Sequence, residues 1–171
     1  ITQVLRLESP QSDNFDYIVG LWYSDEETTR VFDRQPLFVA DWDAGTSNTN
    51  LAVFGQFNWH LSEKLDLSLG GRFGREEIEV MFNDDGLGTS YKGDDDETFG
   101  VGKVALQYFL RDDLTTFASI STGYKGQGYD VSSGFNQGRA DNPVDSESSI
   151  SYEAGIKGAI LDGRAQFSVV A

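Results

Sequence analysis

The 171-residue chain sets 28 Asp and Glu against 13 Lys and Arg, a net charge of −15, and a surface of that sign repels phosphate backbones, so nucleic acid is not expected as a partner. It has no cysteine, which excludes disulfides, thiolate metal sites and a thiol nucleophile. Its 19 Gly, 12 Phe, 7 Tyr and 3 Trp against 3 Pro point to many strands and turns; no apolar run approaches the roughly 20 residues of a transmembrane helix, but a membrane-crossing strand needs only about 10 alternating residues.

The opening ITQVLRLESP has neither a basic start nor an apolar block, so no signal peptide is expected in it. Period-two alternation predicts a first strand over 1–8 and a second over 15–25, the latter with Tyr17, Val19, Leu21 and Tyr23 on one side. After a polar stretch come strands over 51–61 and 64–76, joined through LSEKLDL at Leu61. Val53, Gly55, Phe57, Trp59 and Leu61 oppose Ala52, Phe54, Gln56, Asn58 and His60; Leu65, Leu67, Leu69, Gly71 and Phe73 oppose Asp66, Ser68, Gly70 and Arg72. A second polar stretch leads to strands over 100–110 and 114–125 around LRDDLTT at Leu110, with Val104 and Leu106 opposite Lys103 and Gln107. A third precedes strands over 149–160 and 164–171 around LDGRAQF at Leu161, with Ile150, Tyr152, Ala154 and Ile156 opposite Ser151, Glu153, Gly155 and Lys157. These turns start about 50 residues apart, and SPQSDNFDY at Ser9 keeps the interval.

The connections alternate between 2–4 residues and roughly 25, which is unusual for a compact soluble domain and usual for a barrel in an outer membrane. The expected fold is therefore all-β: an antiparallel up-and-down transmembrane β-barrel segment of about eight strands with long extracellular loops and short periplasmic turns. Loops over 26–50, 77–99 and 126–148 then share one rim, where they would carry substrate contact, and removal of residues 84–97 is expected to leave strand pairing intact. A soluble β-sandwich binding module is the alternative that alternation alone permits, and a Greek-key crossing would mark it.

In order, ITQVLRLESPQSDNFDYIVGLWYSDEE, VFGQFNWHLSEKLDLSLGGRFGREE, LTTFASISTGYKGQGYD and SYEAGIKGAILDGRAQFSVVA resemble successive barrel segments of TonB-dependent outer-membrane receptors. The series Gly70-Gly71-Arg72-Phe73, Ser121-Thr122-Gly123-Tyr124-Lys125-Gly126 and Ser151-Tyr152-Glu153-Ala154-Gly155-Ile156-Lys157, followed by Asp162-Gly163-Arg164, carries the likeness through its order and spacing. The resemblance implies that residues 1–171 are an interior part of a barrel of about 22 strands, with the plug and the C-terminal strands absent. It implies a Gram-negative outer-membrane location and energy-coupled uptake of a scarce small-molecule nutrient: siderophore iron, cobalamin, haem or a glycan. The implied partners are outer-membrane lipid and a TonB-type energy-coupling complex acting through the absent plug. A passive pore or small structural barrel is the rival reading.

Candidate residues follow. Arg72, Lys103, Glu153 and Lys157 fall on the polar faces and are expected to face the lumen, where ion pairs within the wall are the plainer role. Lys125, Gln127, Tyr129, Asp94, Asp95 and Asp96 are extracellular-loop candidates for ligand contact. The acidic run 94–97, with Asn83-Asp84-Asp85-Gly86 upstream, could offer oxygen ligands to calcium but lacks the EF-hand pattern, so a solvated loop is expected and no metal site is assigned. His60, the one histidine, is expected as a hydrogen-bonded lumen residue. GYKGQG lacks the spacing and the following helix of a nucleotide loop, and its glycines are expected to allow tight backbone geometry at the barrel mouth. No nucleophile elbow is present, and Glu76 and Glu77 point to opposite faces of a strand. Neither a cofactor nor enzyme activity is expected.

Overall fold

Alternation resolves into a single sheet in the computed structural model, which describes residues 1–10, 12–36, 40–160 and 164–171. Its strands are β1 (Thr2–Glu8), β2 (Phe15–Arg34), β3 (Ala40–Ser62), β4 (Leu65–Asp84), β5 (Thr89–Arg111), β6 (Leu114–Lys125), β7 (Glu147–Ile160) and β8 (Ala165–Val170), with one helical turn, α1 (Gln137–Ala140), between β6 and β7. Each strand pairs antiparallel with its neighbour in sequence, in the order β1 to β8, so the chain is a meander without a Greek-key crossing. The sheet is open: β1 and β8 are its two edges. Glu63 and Lys64 join β3 to β4, and Asp112 and Asp113 join β5 to β6; the expected turn at Asp162, and with it Asp162-Gly163 of the motif, lies outside the described residues.

Two of the three expected long loops are strand. β2 and β4 each run 20 residues and β3 and β5 each run 23, so residues 26–34, 40–50, 77–84 and 89–99 extend the ladder instead of leaving it. The β4–β5 connection is only residues 85–88. Asp94, Asp95 and Asp96 accordingly sit in β5, paired with Glu79, Ile78 and Glu77, and removing 84–97 would destroy paired strand. The physical reason is that alternation continues past residue 75 with its phase reversed: Ile78, Val80 and Phe82 now occupy the side that carried Ser68 and Arg72, while Glu77 and Glu79 occupy the side of Leu67 and Leu69. Period two is all that a strand requires. Only the third connection, residues 126–146, is a true loop.

The sheet therefore has two faces with a change of character along their length. On the outer face, residues near the short turns form a continuous apolar band: Leu67 lies beside Leu106, and Leu69 beside Val104, which pairs in turn with Ile120. Leu5, Phe73 and Tyr152 in this band are 71%, 61% and 71% exposed. A contiguous apolar surface of this kind has no place in water, where monomers rarely expose more than a few hundred Å² in one patch, and among the described residues no second sheet covers it. Beyond the band the outer face turns acidic: Asp25, Glu77 and Asp96 share one cross-strand row and Glu27, Glu79 and Asp94 the next.

The buried core lies on the inner face of this far half. Trp42, Ala44, Val80, Phe82, Phe135 and Ala140 form it, with Phe32, Tyr91, Tyr129 and Val131 packed alongside. Phe32, Trp42, Phe82 and Phe135 stack in succession, with ring centroids 5.2, 5.1 and 4.9 Å apart, an offset geometry that adds to the burial of each ring.

Candidate functional site: the inner wall and its mouth

Between the two halves, a transverse belt crosses the inner face. Trp22 of β2, Ala52 of β3, Gly74 of β4 and Phe99 of β5 share one cross-strand row, and the two small residues leave room above the sheet. The Phe99 ring lies over Gly74, where a Cβ would meet its Cζ at 2.9 Å, and Arg72, one step below, reaches both rings: its guanidinium lies 5.4 Å from the Trp22 ring and 5.4 Å from the Phe99 ring, and its Nη2 donates to Asn50 Oδ1 at 2.8 Å. Two cation–π contacts and a hydrogen bond hold this flexible side chain in one place. Phe99 stacks in turn on Tyr124 of β6 at 4.4 Å.

One step above, Glu76 and Glu97 are cross-strand partners. Glu76 is only 7% exposed. Asn48 Nδ2 donates to its Oε1, and the Tyr124 hydroxyl lies 3.2 Å from Glu76 Oε2 and 3.3 Å from Glu97 Oε2, so donors from the neighbouring strands replace the water that a buried carboxylate has lost. The loop 126–146 starts directly on top. A Cβ at Gly126 would overlap the Glu76 carboxylate, which answers for the second glycine of GYKGQG: it lets the backbone lie on this group.

The loop then crosses the inner side of the extended hairpins. Gln127 Nε2 donates to Asp95 Oδ2 at 3.1 Å, Arg30 Nη1 to the Val131 carbonyl at 3.2 Å, Trp42 Nε1 to Ser133 Oγ at 3.0 Å, and Gln137 Nε2 to the Lys92 carbonyl at 3.0 Å. At the far end Ala140 presses its backbone onto Gly93, where any Cβ would overlap it. Burial, and next the negative charge of Asp95, Asp94, Asp141 and Glu79, raise the Tyr129 hydroxyl above the ordinary tyrosine range. The 160 Å³ cavity beneath Gln127, Gly128 and Tyr129 is bounded by Glu26, Thr28 and Asn48.

Near the short turns the inner face is polar. His60 Nδ1 lies 2.9 Å from Asp66 Oδ1 and its Nε2 3.3 Å from Asp16 Oδ2, while Asn58 Nδ2 donates to Asp16 Oδ1 at 2.7 Å and Ser68 Oγ donates to Asn58 Oδ1 at 2.8 Å. These side chains lace β2, β3 and β4 together. His60 is thus a hydrogen-bonded wall residue, as its isolation in the sequence suggests.

The structure puts Arg72, Lys103, Glu153 and Lys157 on the same face. Arg72 pairs with Val101 and Gly70 with Lys103; Glu153 pairs with Ser119, and Lys157 with Thr115. Arg72 and Lys103 border one concavity, which Glu153 and Lys157 do not line: Lys157 lies 5.9 Å over the Phe117 ring, and neither it nor Glu153 makes an ion pair among the described residues. Of the mouth candidates, Gln127 and Tyr129 join the packed loop. Lys125 pairs with Glu147 at 3.0 Å, both exposed. Asp94 and Asp96 point outward, where Arg75 Nη2 meets Asp96 at 3.2 Å, while Asp95 points inward, so alternation divides the acidic run and no cation pocket forms from it. Sequence reasoning missed Glu76, Trp42, Phe82 and Phe135. The signal for Phe82 was present in EIEVMF, where apolar residues alternate in the reversed phase; nothing in the sequence marks Phe135 as the residue that caps them.

The family model described as TonB dependent receptor-like, beta-barrel, matches residues 3–171. Among solved structures, the crystal structure of the ferric yersiniabactin uptake receptor FyuA from Yersinia pestis superposes with a TM-score of 0.79 at 23% identity, covering 94% of this chain and 26% of that one. That of the siderophore receptor PiuA from Acinetobacter baumannii superposes with a TM-score of 0.67 at 16% identity, covering 99% of this chain and 30% of that one. The pesticin receptor of Yersinia enterocolitica serotype O:8 / biotype 1B is 26% identical over 148 residues, covering 83% of this chain and 21% of the receptor. The chain spans about a fifth of the length of the curated relatives it matches.

Proposed function

The chain belongs to the TonB dependent receptor-like β-barrel family, and on that premise we propose that residues 1–171 form part of the barrel wall and mouth of an outer-membrane receptor for energy-coupled uptake of a ferric siderophore. The observation that carries this reading is the division of the strands. An apolar outer band of about nine residues, 65–73 in β4, matches the length of a membrane-crossing strand. The same strands then continue about ten residues further, roughly 35 Å of extended backbone, with an acidic outer face suited to water and a packed inner face. A wall of this height with a structured mouth fits capture of a ligand outside the membrane better than a bare pore.

The siderophore class enters from the neighbours, since FyuA is a ferric yersiniabactin uptake receptor and PiuA a siderophore receptor. On this reading, the plug and the remaining strands belong to the rest of the protein, and energy arrives from a TonB-type complex acting on the plug. The wall supplies positioning and selectivity, not bond-making chemistry. The test is uptake of radioactive ferric siderophores by iron-limited cells carrying the whole receptor, with and without the proton gradient. Receptor-dependent uptake that stops when the gradient is collapsed is expected; uptake that survives collapse would make the wall a passive pore.

A further inference from the structure

We infer that residues 126–146 are a fixed lining of the mouth: they stay docked on the extended hairpins while a ligand enters and leaves, so that in this sector it meets the lining and not the aromatic stack behind it. The inference deepens the receptor reading and rests on it.

Four adjacent strands hold the segment. Phe135 closes the stack on Phe82 of β4 and lies 6.5 Å from the Tyr91 ring of β5, while Arg30 of β2, Trp42 of β3 and Asp95 of β5 each share a hydrogen bond with the segment. Phe135 and Ala140 are buried, with Tyr129 and Val131 packed beside them. Both ends are seated where a side chain would not fit, Gly126 on the Glu76 carboxylate and Ala140 on Gly93. Within the segment, Gly128 and Val144 exchange both backbone hydrogen bonds, at 3.2 and 2.7 Å, and the amides of Arg139 and Ala140 reach the Asn136 carbonyl at 3.0 and 3.1 Å.

Segments that open are drawn from the least stable parts of a fold, those with few buried apolar contacts and backbone bonds open to water. Residues 126–146 carry the opposite marks. Lifting them would wet Trp42, Val80 and Phe82 together with Phe135, at a cost that grows with the apolar area uncovered. A ligand would have to supply that cost as extra affinity for the open state. The side turned away from the wall is already ordered. Asn136, Arg139 and Asn142 are exposed there; Arg139 Nη1 donates to Ser132 Oγ at 3.0 Å and lies 3.6 Å from Asp130 Oδ2, and Asn142 Nδ2 donates to the Gly138 carbonyl at 2.8 Å. Side chains held in this way lose little freedom on contact, so the polar surface serves a ligand without the segment moving.

The test joins the segment to the wall in the whole receptor. The Gln127 and Asp95 side chains meet across the seam at 3.1 Å, and residues 1–171 hold no cysteine, so Gln127→Cys with Asp95→Cys gives a thiol pair for a short bis-alkylating reagent to bridge. Iron-limited cells carrying this receptor are given radioactive ferric tris-catecholate or ferric trihydroxamate, and uptake of whichever complex they accumulate is measured before and after bridging. Peptide mass mapping gives the fraction bridged, and unmodified receptor treated alike gives the background. Equal initial rates at full bridging are expected; uptake that falls in proportion to the fraction bridged overturns the fixed lining. Amide exchange in the unmodified receptor is the second measurement. Protection of Gly128, Arg139, Ala140 and Val144 should be kept or raised when the ferric complex is added, and its loss overturns the inference however the bridging turns out. Energy-dependent uptake that stops only on bridging would remove the fixed lining and keep the receptor; no energy-dependent uptake, with the four amides protected throughout, would do the reverse.

Discussion

The two halves of β4 follow the same rule and reach opposite results. In residues 65–73 the apolar side chains Leu65, Leu67, Leu69 and Phe73 face outward and the inner side carries Asp66, Ser68 and Arg72; in residues 76–82 Ile78, Val80 and Phe82 face inward while Glu77 and Glu79 face outward. The strand does not bulge or break between them. What changes is the medium on each side. Hydrocarbon outside and a wet lumen inside put apolar groups out; water outside and a packed loop inside put them in. On the outer-membrane reading, the phase of alternation thus reports which side of a strand is dry, and its reversal near Gly74 is where the wall would leave the membrane.

The comparison breaks most readily at Phe82, which is fully buried at the centre of the aromatic stack. Phe82→Ala should cost about 3–5 kcal/mol of local stability, seen as faster amide exchange in residues 126–146 and the ends of β4 and β5, while exchange in residues 65–73 is unchanged. Uniform loss of protection along β4 would mean that the two halves are one cooperative unit.

Next in size is a charge placed on the outer face. Leu106→Arg, in the apolar band beside Leu67, should cost about 2–4 kcal/mol for folding of the whole receptor into lipid vesicles if the site lies near the midplane. Met81→Arg, on the same face of the extension and 46% exposed, should stay within about 0.5 kcal/mol. Equal costs at the two positions would remove the assignment of the upper outer face to water.

The lower half was legible because its pattern obeys a single template: apolar out, polar in, with a short polar turn every 50 residues or so. The meander, the short turns at Glu63 and Asp112 and the shared face of Arg72, Lys103, Glu153 and Lys157 all follow from it. The upper half resisted because Asp, Gly and Asn are poor strand formers by propensity, and their presence in 40–50 and 89–99 reads as loop until the cross-strand partners are known. Glu76 illustrates the remaining gap. Its position on the opposite face from Glu77 is local and readable, but its burial depends on Asn48, Tyr124 and Gly126, brought together from β3, β6 and the loop.

That dependence leads to a smaller effect. Gly126→Ala should unseat the start of the loop by pushing against the Glu76 carboxylate, a cost of about 1–3 kcal/mol typical of overpacking, read as protease nicking within 126–146 on intact cells. Glu76→Ala in the same chain should relieve most of it, although Glu76→Ala alone leaves Asn48 and Tyr124 without their acceptor. Strict additivity of the two changes would show that the glycine is not there to make room for this carboxylate.

The smallest effect belongs to the ion pair that ties β6 to β7 at the rim. Lys125 Nζ and Glu147 Oε1 are 3.0 Å apart, with side chains 75% and 68% exposed, so water solvates both charges whether or not they meet, and holding two long side chains together costs entropy that offsets the attraction. A double-mutant cycle with Lys125→Ala and Glu147→Ala should give a coupling of about 0.2–1 kcal/mol that fades in high salt. The belt gives the contrast: Arg72 is braced by two rings and buried at Nε, so its contacts are screened less than those of an exposed pair. A Lys125–Glu147 coupling well above that range and indifferent to salt would mean that the rim at this point is shielded in the whole receptor, and that the mouth extends further over β6 and β7 than residues 126–146 alone carry it.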